Sequence, residues 1–181
     1  MLSKIINFFR KKQEQFWWHS PSAEFDEFDF NKIGSTSLKY GWGIYFSHYK
    51  HDALRHNKGL NHIYRLPLTS VESKSFIFYS KQIKEHKDPK VIEVARSFYG
   101  ADKFDQDNFY KGGHRFYNDI WEFERSKGKN SNGCAAKYLL DKGITGGIID
   151  DNGERIIVIY DTDLWKNVER IQVEETHNKQ I

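Results

Sequence analysis

The sequence predicts a single α+β domain with a largely antiparallel β-sheet. Segments rich in β-branched and aromatic residues lie near both ends of the chain, and segments with helical periodicity lie between them. Strands separated from helices in this way are typical of α+β folds, whereas regular strand–helix alternation predicts a parallel sheet. The length of 181 residues, without a Pro-rich or Gly/Ser-rich linker, favours one domain over residues 1–181.

The first third of the chain predicts two strands joined by a long loop, and then a helix. EQFWWHS at 14–20 and GIYFS at 43–47 predict the strands, because aromatic and β-branched residues are enriched in sheets. HYKHDALRHN at 48–57 predicts the helix. The apolar pattern of residues 3–16 predicts either a helix packed on the domain or a basic helix that contacts a membrane or RNA. Residues 21–34 predict an extended loop anchored by Phe25, Phe28 and Phe30.

The middle of the chain predicts two more strands and a helical insert. HIYRLPL at 62–68 and KSFIFYS at 74–80 have strand composition. The insert covers about residues 80–133. Its first helix is predicted over 88–100 by a proline near the start and a glycine at the end, and its second over 114–128 by helical spacing of apolar residues.

The last part of the chain predicts a helix, a hairpin and an edge strand. CAAKYLLDKG at 134–143 predicts the helix, which Gly143 ends. Asp151, Asn152 and Gly153 predict the hairpin turn, and the strongly β-prone run that follows predicts a buried central strand.

Composition restricts the class of protein and its compartment. The 28 basic and 25 acidic residues give a net charge of +3, which permits a polyanionic partner without requiring one. A single cysteine, Cys134, excludes an intramolecular disulfide and fits a reducing compartment. No window approaches the roughly 20 apolar residues of a membrane span. We therefore expect a cytoplasmic protein that does not cross a membrane.

The segment YGWGIYFS alternates small, aromatic and hydroxyl residues along a predicted strand. Gly41, Gly43, Tyr45 and Ser47 alternate, so small residues, an aromatic ring and a hydroxyl share one face of the predicted strand. Glycine lets a backbone approach a flat ligand, on which a tyrosine can stack. This pattern predicts either a tight turn into a core strand or the floor of a pocket.

Three other features allow both a structural and a functional interpretation. His19 at the end of a strand is either an ordinary structural histidine or a group that faces a cleft, and Glu154 at the mouth of a buried strand is either a solvated hairpin residue or a functional acid. His48 and His51 have the spacing of metal ligands, but no further ligands complete a site, so we expect a solvated helix face and no metal.

Four blocks in fixed order resemble the ADP-ribosyltransferases of the His-Tyr-Glu type, which include the poly-ADP-ribose polymerases and diphtheria toxin. The likeness is greatest to the small transferase domains of phage polyvalent proteins, and it covers about residues 16–64 and 134–174. It implies a split antiparallel β-sheet with flanking helices and a helical insert. The blocks are HSPSAEFDEFDFNKIG, YGWGIYFSHYKHDALRH, AAKYLLDKGITGGIID and GERIIVIYD.

The resemblance implies an NAD-dependent reaction and a role for each matched residue. His19 would bind the NAD ribose, Tyr45 would stack on the nicotinamide, and Glu154 would bind the ribose 2′-hydroxyl and polarise the nucleophile. Cleaving the nicotinamide bond develops oxocarbenium charge, which a nearby carboxylate stabilises. The resemblance extends the NAD-binding set to His19, Ser20, Gly43, Tyr45, Ser47 and His56.

This chain departs from the family pattern at two positions. Ser20 replaces the glycine that usually follows the histidine. Arg55 and His56 stand where many relatives have a second stacking tyrosine, so we expect His56 to stack in its place. Glu122 and Glu124 in WEFER form a rival for the catalytic glutamate, because they have the Glu-x-Glu spacing of arginine-modifying transferases.

The sequence leaves several candidates for the molecule that accepts ADP-ribose. The insert interleaves Lys and Arg with aromatic residues, a composition that suits either RNA or single-stranded DNA or a scaffold with a solvated charged face. A host protein is a further candidate acceptor, and a small free-standing transferase most resembles a toxin with a possible antitoxin partner. Two alternatives remain: a catalytically weak NAD- or ADP-ribose-binding module, and a nucleic-acid-binding protein without enzymatic activity.

Overall fold

The computed structural model describes residues 16–21, 33, 40–129, 131–151 and 153–173. The predicted amino-terminal helix and the loop anchors Phe25, Phe28 and Phe30 lie outside these residues. The strands are β1 (Phe16–His19), β2 (Ile44–Ser47), β3 (His62–Pro67), β4 (Ser75–Phe78), β5 (Ile144–Asp151), β6 (Glu154–Ile159) and β7 (Glu169–Gln172). The α-helices are α1 (Lys50–Arg55), α2 (Pro89–Tyr99), α3 (Ala101–Phe104), α4 (Gly113–Ser126) and α5 (Cys134–Asp141). Short 3-10 helices cover Leu68–Ser70, Ile83–Glu85 and Thr162–Asn167.

The strands form one seven-stranded sheet in the order β4-β5-β6-β2-β1-β3-β7. The predicted α+β class is confirmed, but the sheet is mixed, because β4 and β5 pair in parallel while the other neighbours are antiparallel. A parallel pair needs a long crossover, and the helices α2 to α5 between these strands provide it. The last strand lies at an edge of the sheet, as predicted.

The joint between β1 and β2 divides the sheet into two halves. These strands share a single register pair, Trp18 with Ser47, whereas every other neighbouring pair shares four or six. One half contains β4, β5, β6 and β2, and the other contains β1, β3 and β7. The two halves therefore meet over a short stretch of backbone.

Each face of the sheet carries its own hydrophobic core. One core lies between the sheet and the helices and includes Ile77, Phe116, Ile120, Leu139 and Val158. The other lies on the opposite face and includes Trp17, Ile44, Phe46, Leu66, Ile157, Ile159 and Leu164. We call them the helix-side core and the far-side core. Because side chains alternate along β2, Ile44 and Phe46 enter the far-side core while Tyr45 packs against the helix-side core.

Local signals explain the ends of several elements. The Asp88 side chain accepts a hydrogen bond of 2.9 Å from the backbone N–H of Lys90, and Pro89 occupies the first turn, so α2 begins where predicted. Gly153 has φ of +85°, and Asp151 pairs with Glu154 across the predicted hairpin. None of the helices in the described part of the chain has the length and apolar character needed to cross a membrane.

Candidate functional site

The strands that carry His19, Tyr45 and Glu154 are neighbours in the sheet. Glu154 opens β6, Tyr45 lies in β2 and His19 ends β1, and the sheet order at this place is β6-β2-β1. The three strands are neighbours although most of the chain separates His19 from Glu154 in the sequence. The remaining question is where each side chain points.

His19 is tied to β2 through the backbone of Tyr45. Its Nδ1 lies 2.8 Å from the Tyr45 carbonyl oxygen, so Nδ1–H donates and Nε2 is the acceptor of the ring. The ring packs near Phe46 and Trp165, at centroid distances of 5.5 and 6.2 Å. Desolvation by burial lowers the pKa of His19 to about 4, against a smaller opposing effect of the hydrogen bond. At neutral pH the imidazole is therefore uncharged.

The hydroxyl of Tyr45 is held by the loop that precedes β2. It donates a hydrogen bond of 2.6 Å to the carbonyl oxygen of Gly41 and accepts one of 3.1 Å from the backbone N–H of Tyr40. Desolvation raises the pKa of Tyr45 to about 12, so the phenol stays protonated. The side chain is half-buried against the helix-side core. Its ring, and not its hydroxyl, is the part that a ligand could use.

The two glycines before Tyr45 meet other parts of the chain at close range. Gly41 has φ of +95°, and a Cβ there would lie 2.6 Å from the ring of Tyr117 on α4. Gly43 has φ of +154°, and a Cβ there would lie 2.7 Å from the Ile159 carbonyl oxygen. The sequence allows either a tight turn or the approach of a flat ligand at these glycines. The packing of the chain on itself accounts for both of them.

Glu154 forms an ion pair that the sequence did not indicate. Its Oε1 lies 2.9 Å from Nη1 of Arg55 at the end of α1. Nη2 of the same guanidinium lies 3.2 Å from Oδ1 of Asp52, whose side chain is buried. Nε2 of His51 lies 3.1 Å from that oxygen as well. Asp52 and Arg55 are thus the site residues that sequence reasoning missed; the one available signal was Arg55 at the position where the family pattern has a tyrosine.

The other predicted NAD contacts lie on β2, directly after β1 and directly after α1. Ser47 is half-buried and pairs with Trp18 of β1 and Ile156 of β6. The hydroxyl of Ser20 is buried, and among the described residues it has no hydrogen-bond partner. His56 is exposed at the carboxyl end of α1, where its backbone N–H bonds the carbonyl oxygen of Ala53 at 3.1 Å.

The three proposed catalytic side chains do not all share one face. Tyr45 pairs with Val158, and Glu154 lies four residues before Val158 on the same face of β6, about 13 Å along the strand at 3.3 Å per residue. The His19 ring lies among residues of the far-side core. The structure therefore brings Tyr45 and Glu154 to one face and joins His19 to them through the backbone.

Comparison with protein-family models, curated proteins and solved structures finds no match to this chain. A function for this chain is therefore inferred from its own residues and their geometry.

The rival glutamates lie on α4 and contact cations of the insert. Glu124 has a 2% exposed side chain and contacts Lys129 and Lys127, the latter at 3.7 Å. Glu122 is 59% exposed and lies 3.7 Å from Arg115. Residues two apart on a helix point in different directions, so these carboxylates do not form a pair.

His51 in α1 and His48 just before this helix both make aromatic contacts. The ring of His48 lies 5.3 Å from Trp17, and the ring of His51 stacks on Tyr49 at 5.4 Å. Within the described ranges, no three His, Cys, Asp or Glu side chains are grouped closely enough to hold a metal ion.

Many cations of the insert are neutralised by carboxylates of the same insert. Asp119 contacts Lys111 at 3.2 Å and Arg115 at 2.6 Å, and Arg96 contacts Asp105. Other cations lie over aromatic rings, such as the Arg125 guanidinium at 4.6 Å from the Trp121 centroid. The interleaving of basic and aromatic residues in the sequence thus corresponds largely to contacts within the insert.

Proposed function

We propose that this protein is a mono-ADP-ribosyltransferase that cleaves NAD and transfers ADP-ribose to a nucleic acid, RNA ahead of DNA, or to a host protein. The observation that carries the proposal is the adjacency of β6, β2 and β1, which gathers the glutamate, tyrosine and histidine strands in one place. The hydrogen bond from His19 to the Tyr45 backbone supports it, since that bond ties two of the matched blocks together.

The joint between β1 and β2 is the proposed place for NAD. The two halves of the sheet share one register pair there, so backbone groups on both sides can serve a ligand. Tyr45 offers its half-buried ring to the nicotinamide. The neutral His19 ring offers Nε2 as an acceptor of a hydrogen bond from a ribose hydroxyl, because Nδ1–H donates to the Tyr45 carbonyl.

The reaction breaks the bond between ribose C1′ and the nicotinamide nitrogen. The bonding electron pair goes to the nicotinamide, which leaves as a neutral molecule, and C1′ gains oxocarbenium character. The acceptor then forms a bond to C1′ through oxygen or nitrogen and loses its proton to a base. Glu154, with 39% of its side chain exposed, is the carboxylate that stabilises this charge and receives the proton.

In this proposal the protein is a toxin or phage-defence effector that acts in a cytoplasm. Its acceptor can be identified directly by incubating it with NAD labelled in the adenosine half and separate pools of RNA, single-stranded DNA and lysate protein. Glu154→Gln is the inactive comparison. Label in one pool, and its loss in the variant, is the expected result; label in none of the three pools would refute the transferase function.

An NAD-binding module with little turnover is the second candidate. The observation that favours it is the placement of the His19 ring among residues of the far-side core, on the other face from Tyr45 and Glu154. Calorimetric titration of NAD and an assay of nicotinamide release separate the two, because a module binds NAD without releasing nicotinamide. A nucleic-acid-binding protein without activity would bind RNA in a salt-dependent way and consume no NAD, which the same assays detect.

A further inference from the structure

The guanidinium of Arg55 lies between two carboxylates on different elements. Nη1 reaches Oε1 of Glu154 at 2.9 Å, and Nη2 reaches Oδ1 of Asp52 at 3.2 Å. We infer that Arg55, anchored on Asp52, is a positioning residue that orients the Glu154 carboxylate for the cleavage of NAD. The inference rests on the proposed function.

Asp52 is the fixed end of this arrangement. Its side chain is 4% exposed, against 62% for Arg55 and 39% for Glu154. A buried carboxylate requires a counter-charge, because desolvation penalises an unpaired ion heavily. His51 approaches the same oxygen but is charged only when protonated, so Arg55 is the permanent cation. Oδ1 of Asp52 has no hydrogen-bond partner among the described residues, so charge attraction at 3.2 Å, and not a hydrogen bond, holds the guanidinium at its Asp52 end while its other nitrogen faces Glu154.

Stability alone gives little reason for the contact with Glu154. Exposed ion pairs contribute little to folding, because both partners are well solvated without each other. A planar guanidinium also fixes the orientation of the carboxylate that it contacts, since its N–H groups form a rigid fork that a lysine ammonium lacks. The contact engages Oε1, and among the described residues no hydrogen bond reaches Oε2. That second oxygen is the one that can accept a hydrogen bond from a ribose hydroxyl.

The test measures nicotinamide release from NAD labelled in the nicotinamide ring, in the presence of the RNA, single-stranded DNA and lysate-protein pools, over a range of NAD concentrations. The variants are Arg55→Gln, Arg55→Lys and the double variant Asp52→Asn, Arg55→Gln, which removes both charges at the buried end. Arg155→Gln is the matched control. Arg155 follows Glu154 directly in β6, lies on the opposite face by alternation, and pairs with Asp150 in an exposed contact of 2.6 Å.

We expect kcat to fall on the order of 10- to 100-fold in Arg55→Gln, because a small displacement of a catalytic group has an effect of that size. KM should change by less than about threefold, since Arg55 contacts Glu154 and not the substrate. Arg55→Lys should fall between wild type and Arg55→Gln. The double variant should remain as slow as Arg55→Gln although its buried charge is gone, and Arg155→Gln should match wild type.

Two results would overturn the inference in distinguishable ways. If wild type releases nicotinamide and either Arg55→Gln or the folded double variant is as fast as Arg155→Gln, Arg55 does not position Glu154 and the proposed function stands. If wild type releases no nicotinamide at any NAD concentration, the proposed function fails, and the inference fails with it.

Discussion

His19 should make the stability of this protein sensitive to mild acid. Its pKa is lowered to about 4 in the folded chain and is 6.5 for an ordinary histidine. Between these values the unfolded chain binds a proton at His19 that the folded chain does not. The contribution of His19 to the free energy of unfolding is therefore fully present above pH 6.5 and is lost as the pH falls toward 4. The difference corresponds to about 3 kcal/mol. This is an upper value, because the ring is only partly buried.

The assay compares wild type with His19→Asn, which cannot titrate and can still donate an N–H to the Tyr45 carbonyl. Thermal unfolding is followed from pH 7 to pH 4. The melting temperature of wild type should fall more than that of the variant, by up to roughly 6–12 °C over this range for a chain of this size. His86 and His114 also have pKa values lowered by burial, but they are present in both proteins and cancel in the difference. A difference in melting temperature between the two proteins that does not change with pH would refute the lowered pKa of His19.

Three further predictions concern the loop before β2 and the helix-side core, and thermal or urea unfolding checks each of them. Tyr117→Phe should lower the free energy of unfolding by about 1 kcal/mol, because the backbone N–H of Trp42 loses the Tyr117 hydroxyl as its acceptor. Gly41→Ala should destabilise more than Gly128→Ala, since both have positive φ but only Gly41 has a ring where the Cβ would go; equal effects would contradict the packing described. Tyr79→Phe and Tyr160→Phe should each cost about 1–3 kcal/mol, and the double variant less than their sum, because their buried hydroxyls bond each other.

Local sequence patterns predicted most of the elements. The capping aspartate and Pro89 indicate the start of α2, and Gly100 indicates its end. The turn residues before Glu154 indicate the hairpin, and the apolar run after it indicates a central strand. These signals depend on neighbours in sequence, and such signals are readable without a structure.

Long-range pairings could not be predicted in the same way. The parallel pairing of β4 with β5 depends on the path of the insert, which strand composition does not encode. The face on which His19 lies depends on the register of Trp18 with Ser47, because a shift by one residue reverses every side chain of a strand. Sequence alone therefore placed His19 at the end of a strand but could not assign its face.

The candidate site shows the same limit. Gly41 and Tyr117 lie far apart in the sequence, so local pattern could not decide between a tight turn at the glycine and a ligand contact. Arg55 and Glu154 lie 99 residues apart, and their ion pair becomes visible only when α1 is seen beside β6. Motif resemblance identified Glu154 but could not indicate what holds its carboxylate.

Release of labelled nicotinamide from NAD by wild type, Glu154→Gln and Glu122→Gln, measured in the presence of the RNA, single-stranded DNA and lysate-protein pools, tests the central claim most directly. Glu122 is an exposed carboxylate of the rival pair, so it controls for the loss of one negative charge. We predict release by wild type and by Glu122→Gln, and a loss of at least about 100-fold in Glu154→Gln, as expected for removal of a group that stabilises transition-state charge. No release by wild type, or a loss in Glu122→Gln in place of Glu154→Gln, would contradict the account.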